Sequence, residues 1–210
     1  MRANRIVIGY HGCDKSIAEE VLQHGLDLKQ STNVYDWLGH GIYFWENSKT
    51  RALEWAEQGT GIDKPAVVGA IINLGNCLDL LDYECLGQVK AAYELLSMEL
   101  EQIGKPLPEN SISEEDISFN RQLDCQVMLR LHQFNEDLIR ETLDHPTSRN
   151  VRLHANYYDS VRGMFPEGKP LYPNAGFRRK NHIQICIRNP NCILGYFKPR
   201  RQNPSYKAIW

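Results

Sequence analysis

No stretch of this 210-residue chain stays apolar for long. The longest runs, AVVGAII (66–72) and CILGYF (192–197), fall far short of the ~20 residues that span a bilayer, so no membrane helix is expected. The opening MRANRIVIGYHG lacks the apolar core and cleavage pattern of a signal peptide; the expected location is the cytoplasm. Cys-x-x-Cys pairs are missing, as is any Cys/His cluster at zinc spacing. The six cysteines, at 13, 77, 85, 125, 186 and 192, lie mostly in apolar runs and read as reduced core thiols, and no metal is expected. Internal repeats and low-complexity tracts are absent too. Acid is missing from the C-terminal end: 176–210 holds eight Lys or Arg and no Asp or Glu, leaving 16 basic against 26 acidic residues elsewhere. Such asymmetry fits either an anionic partner or a solvated basic edge.

What is present is ordinary for a globular chain. Hydrophobic residues make up 42% and charged residues 24%, which supports a core rather than disorder, and the length predicts one domain over 1–210. RIVIGY (5–10) reads as a strand ending at His11-Gly12. SIAEEVLQHG (16–25) reads as a helix with a Ser16/Glu19 capping box and a Gly25 stop. GHGIYFWE (39–46) reads as a strand, KTRALEWAEQ as a helix ended by Gly59, and AVVGAIINLG as a buried strand. The signal turns helical from Tyr83 to about position 145: one helix over 88–104, then a block of about 30 residues from Ser113, long enough that a break is expected. Strand signal returns in YYDSVRG, and HIQICIRNPNCILGYF reads as a strand pair around Asn189-Pro190. Strands at both ends with helices between predict an α+β fold whose sheet joins distant segments.

GHGIYFWE sets two demands against each other, because glycine gives a strand nothing to pack while Ile-Tyr-Phe-Trp packs well on a pleated surface. Alternation predicts that Ile42 and Phe44 hold the core and that Tyr43 and Trp45 face the other way. Taken alone, His11-Gly12 is also a strand-ending turn, Ile-Tyr-Phe-Trp also a strand with core contacts, and Pro166-Glu167-Gly168 also a surface turn.

Taken together, YHGC (10–13), GHGIYFWENSKTRA (39–52) and HIQICIRNPNCI (182–193) resemble, in order and kind, the H-Y-[E/Q] signature of ADP-ribosyltransferases of the diphtheria-toxin and poly(ADP-ribose) polymerase type. The resemblance implies a split β-sheet core, with the central helices, about 83–145, as an insertion it does not explain. It implies NAD+ as substrate, without a metal. His11 would bond a ribose hydroxyl and Gly12 would bring its bare backbone to the carboxamide. Tyr43 would form one face of the nicotinamide slot, Trp55 or else Tyr35 the opposite wall, and Thr50 would bond the carboxamide. Gln184 stands where the family has its catalytic Glu, keeping a hydrogen bond but not the charge, so chain elongation is not expected and single transfer is. Glu167, in the loop before the Gln184 strand, is the candidate carboxylate, with Arg162 as its helper or as a pyrophosphate ligand.

The loop 164–181 interleaves Phe165, Tyr172 and Phe177 with Lys169, Arg178, Arg179 and Lys180, a mixture suited to unpaired bases; an acidic protein would satisfy the same charges. A nucleic-acid acceptor, RNA or DNA, is therefore expected ahead of a protein one. Small stand-alone prokaryotic members of the family act as toxins of toxin–antitoxin or antiphage modules, which implies an antitoxin protein as partner. The alternatives are a catalytically weakened NAD or ADP-ribose-binding module of the same fold, and an interaction protein docking through its basic tail.

Overall fold

Alternation along Ile42–Glu46 sorts the protein into two cores. On one face of the sheet Ile42 and Phe44 are buried with Val68, Ala70, Ile72, Ile185 and Ile187; on the other Tyr43 packs near Leu38, Val161 and Cys186. The predicted orientation of this strand is the one found. The computed structural model describes residues 5–111, 120–201 and 203–207. Its elements are β1 (Ile6–Asp14), α1 (Lys15–His24), β2 (Ile42–Glu46), α2 (Lys49–Gln58), β3 (Pro65–Asn73), β4 (Cys77–Asp79), α3 (Tyr83–Gln102), β5 (Asn110–Ser111), β6 (Asn120–Arg121), α4 (Gln122–Glu141), α5 (Ser148–Arg152), β7 (Ser160–Phe165), β8 (His182–Ile187) and β9 (Ile193–Phe197). The fold is α+β: seven strands in the order β4-β7-β8-β2-β1-β3-β9 form a mixed sheet, antiparallel except for β4 beside β7.

The two halves of this sheet are joined by little. β1 follows β3 for nine residue pairs, whereas β1 and β2 meet only at Gly9–Glu46 and Tyr10–Trp45. Beyond Tyr10 the strands part, one bound to β3 and the other to β8. The helix α1 covers the Phe44 face through Ala18 and Val21. On the opposite face α3 and α4 pack on each other and on the 37–38 turn, with Arg130 gripping both oxygens of Glu99 to tie the pair. The expected helical region is thus a side layer over the β4–β7 half.

Three local readings change. β1 runs through His11-Gly12 to Asp14, because β3 supplies partners to its end. The cap of α1 is Asp14, whose carboxylate accepts from the Ser16 N–H, in place of the Ser16/Glu19 box; four such bonds to Asp14, from Ser16 N–H and O–H and from the Asp63 and Lys64 N–H groups, hold its pKa down at about 2. β8 and β9 are not a hairpin. Both flanks of β8 are taken by β7 and β2, so the chain turns through a short 3-10 segment at Pro190–Cys192 and crosses to the far edge beside β3. The start of the second helical block, at 112–119, lies outside the described residues; from Gln122 it is one unbroken helix of 20 residues. Among the described residues no helix is long and apolar enough to cross a membrane. All six cysteines are free, and burial raises the thiol pKa of Cys186 most strongly.

Candidate functional site

Where β1 and β2 part, a cavity of about 520 Å³ opens, within the range that holds small-molecule ligands. Its wall combines His11, Tyr43, Trp45 and Gln184 from the strands with Phe165 and Glu167 from the end of β7. Arg51 and Trp55 come from α2, Asn120 from β6, and the rest from the loop between Lys29 and Gly41. The glycines of GHGIYFWE shape this loop. Gly39 has a φ of +84°, and a side chain on Gly41 would strike the Cys186 sulfur and the Ile187 carbonyl.

His11 reaches across the split, where its Nδ1 lies 2.8 Å from the Tyr43 carbonyl oxygen. A carbonyl only accepts, so Nδ1 carries the proton and donates. Burial lowers the imidazole pKa, against the raising effect of that bond, so the ring is neutral at pH 7 and Nε2 is an acceptor. His11 can therefore receive a hydrogen bond from a ligand hydroxyl.

Tyr43 has a structural task as well as a place on the wall. Its hydroxyl accepts from the Leu38 N–H at 3.0 Å and donates to the Gly39 carbonyl at 2.8 Å, tying the loop to the sheet. Burial pushes its phenol pKa well above the usual value. Tyr43→Phe leaves the Leu38 N–H unmatched and the Gly39 carbonyl with only the Cys186 thiol at 3.4 Å, and a loss of about 1–3 kcal/mol is expected in urea unfolding. A variant as stable as the parent would show that the loop does not depend on this hydroxyl.

Gln184 is directly opposite Trp45 on β2. Its Oε1 accepts from the Trp37 indole N–H at 2.6 Å. The indole lies over Gly163, where a Cβ would come within 2.8 Å of the ring.

Glu167 is buried, and its Oε2 lies 2.5 Å from Arg51 Nη2. Arg51 also holds Glu54, which Lys180 reaches at 3.3 Å. His182 Nδ1 lies 3.5 Å from the same Glu167 oxygen but donates to the Lys180 carbonyl at 2.7 Å. Burial takes the His182 pKa from 6.5 down to about 4, so at neutral pH the ring is uncharged and this contact is no ion pair. The unfolded chain binds the proton more readily, so this stabilisation is complete above about pH 6.5 and is lost as pH falls through 4. An acid titration of urea stability should show a decline between these limits, of about 3 kcal/mol from His182, that shrinks in His182→Phe. An equal decline in that variant would contradict the assignment.

The expected site residues divide. His11, Tyr43, Trp55, Tyr35, Glu167 and Gln184 share the cavity wall. Gly12 does not line it. The Ile8 carbonyl accepts from Asn47 N–H on the β2 side, and strand alternation directs the N–H and C=O of Gly12 to that side as well, past the last β1–β2 pair. Thr50 is exposed on α2 and stands off the wall. Arg162 stands off it too, paired with Glu46 at 2.6 Å and Asp79 at 3.3 Å on the opposite face of the sheet, because it alternates with Gly163. Seven wall residues escape the sequence reading: Lys29, Ser31, Asn33, Asp36, Trp37, Arg51 and Asn120. Of these Arg51 had a visible signal, since it lies one turn from Trp55 on the same helix face.

Among the described residues no group of His, Cys, Asp or Glu is arranged to hold a metal ion. The chain matches no protein-family model, and neither curated proteins nor solved structures give a significant match.

Proposed function

We propose that the cavity binds NAD+ and that the chain is a mono-ADP-ribosyltransferase with an ADP-ribosyltransferase-like split-sheet core. The observation that carries this is convergence: His11, Tyr43 and Gln184, far apart in sequence, meet at one cavity where the sheet divides. In this reading the nicotinamide lies on Tyr43, with Trp55 or Tyr35 as the facing wall and the Gly12 backbone meeting the carboxamide. The neutral Nε2 of His11 accepts from a ribose hydroxyl. Arg51 and Lys29, the cations of the wall, serve the diphosphate in place of Arg162. As the glycosidic C–N bond breaks, nicotinamide leaves with the electron pair and positive charge grows on the ribose. Of the two wall carboxyls, Asp36 is engaged by Ser31 and Asn33, and Glu167 is assigned to stabilise that charge; Gln184 orients the sugar.

The acceptor is read from the segment after Glu167. It doubles back as a finger: Leu171 N–H bonds to the Phe177 carbonyl, Arg179 N–H to that of Lys169, and Lys180 N–H to that of Glu167. Leu171, Tyr172 and Phe177 are exposed beside Lys169, Arg178 and Arg179. Exposed rings and cations with no acid among them favour unpaired nucleic acid over protein. A toxin or phage-defence role, in the cytoplasm and opposed by an antitoxin protein, remains the biological setting implied by the family resemblance.

A second reading, binding without transfer, is favoured by one observation. Gln184 lacks the charge, and Glu167 is already neutralised by Arg51. Incubation with adenylate-labelled NAD+ and separate RNA, DNA and protein pools tests both. Transfer predicts label on nucleic acid and its loss in His11→Ala; NAD+ binding with no label and no nicotinamide released selects the second reading.

A further inference from the structure

The side chain of Gln184 is held in one orientation, and the holder is Trp37. An indole nitrogen is a donor only, so the amide atom 2.6 Å from it is the oxygen. The amide NH2 of Gln184 then faces away from Trp37. The indole is fixed on three sides: Gly163 leaves room beneath it, the Phe165 ring meets it edge-on at 5.2 Å, and the Arg121 guanidinium lies 5.0 Å from its centroid. Trp37 and Gln184 both line the cavity.

We infer that Trp37 is a positioning residue that fixes Gln184 as a hydrogen-bond donor to the bound ligand, so that position 184 recognises an acceptor oxygen. A freely rotating glutamine presents oxygen or nitrogen equally; this one presents nitrogen. The orientation is a property of the cavity whatever occupies it, and its use on an oxygen of NAD+ rests on the reading above.

Trp37→Phe keeps an aromatic side chain but removes the donor together with the outer ring atoms Cη2 and Cζ3 that lie over Gly163. Two readouts separate the inference from the NAD+ reading. The first is the Gln184 side-chain amide pair in a ¹⁵N–¹H spectrum, identified by its disappearance in Gln184→Met. In Trp37→Phe the pair should move to the shifts of free glutamine amides, and it should do the same in Gly163→Ala, where a methyl displaces the indole while every polar partner is retained. The second is NAD+ affinity by calorimetry. Trp37→Phe and Gln184→Met should each weaken binding by about 3- to 10-fold, the size of one lost hydrogen bond, and the double variant should be no weaker than Gln184→Met alone. Unmoved amide resonances in both Trp37→Phe and Gly163→Ala overturn the positioning role. Losses that multiply in the double variant overturn its action through Gln184. If the parent protein does not bind NAD+, that reading fails while the resonances still decide the orientation.

Discussion

Gly12→Ala is expected to destabilise the protein by on the order of 3 kcal/mol and to abolish ligand binding with it. Gly12 is buried under α2, and a Cβ there would overlap the main-chain carbonyl of Ala52 and lie 3.3 Å from the Ala56 methyl. Ala52 and Ala56 are themselves fully buried: the helix approaches the strand this closely because all three residues are small. The obstacle is backbone, so no side chain can rotate away, and overpacking of this kind costs about 1–3 kcal/mol or more. For a chain of this length that is a fall of roughly 6–12 °C in Tm. The only relief is to lift α2, which carries Arg51 and Trp55 off the cavity wall. Thermal melting beside Gly176→Ala, a glycine with open space around it, makes the comparison. Equal melting of the two variants would show that this contact does not set the position of α2.

Arg51→Met carries the second large effect. It strips the partner from Glu167, whose side chain is 7% exposed, and leaves a carboxylate buried without compensation. Breaking a buried pair on one side costs about 3–5 kcal/mol. The double variant Arg51→Met/Glu167→Gln should recover most of the loss, since an amide is far cheaper to bury than an unpaired charge. Urea unfolding of the parent and the two variants at pH 7 measures this. No recovery in the double variant would mean that Arg51 stabilises the fold through Glu54 instead.

The cavity was legible in the sequence wherever a strict period governed. Two-residue alternation separates Ile42 and Phe44 from Tyr43 and Trp45 without reference to any other segment. His11 and Gln184 were reachable through order along the chain and resemblance. Arg162 was not: its face depends on the phase of β7, and Gly163 beside it, opposite Gln184, takes the cavity side. Thr50 drew notice by its hydroxyl, while the helical phase that puts Arg51 and Trp55 on the wall follows from how α2 lies against Gly12. Trp37 sits in an irregular loop, where no period applies. Its role depends on a missing methyl at Gly163, 126 positions away. The path of β9 was hidden for a related reason: a hairpin at Asn189-Pro190 is good local chemistry, and only the occupied flanks of β8 forbid it.

Three of the four tryptophans, Trp37, Trp45 and Trp55, line the cavity, so NAD+ binding has a direct optical reporter. Titrating NAD+ to millimolar concentration while following tryptophan emission tests the central claim most directly. The account predicts saturable quenching, reproduced by ADP-ribose and weakened at least about tenfold in a folded His11→Ala variant. Emission that does not saturate in the parent protein, or that saturates identically in His11→Ala, would contradict it.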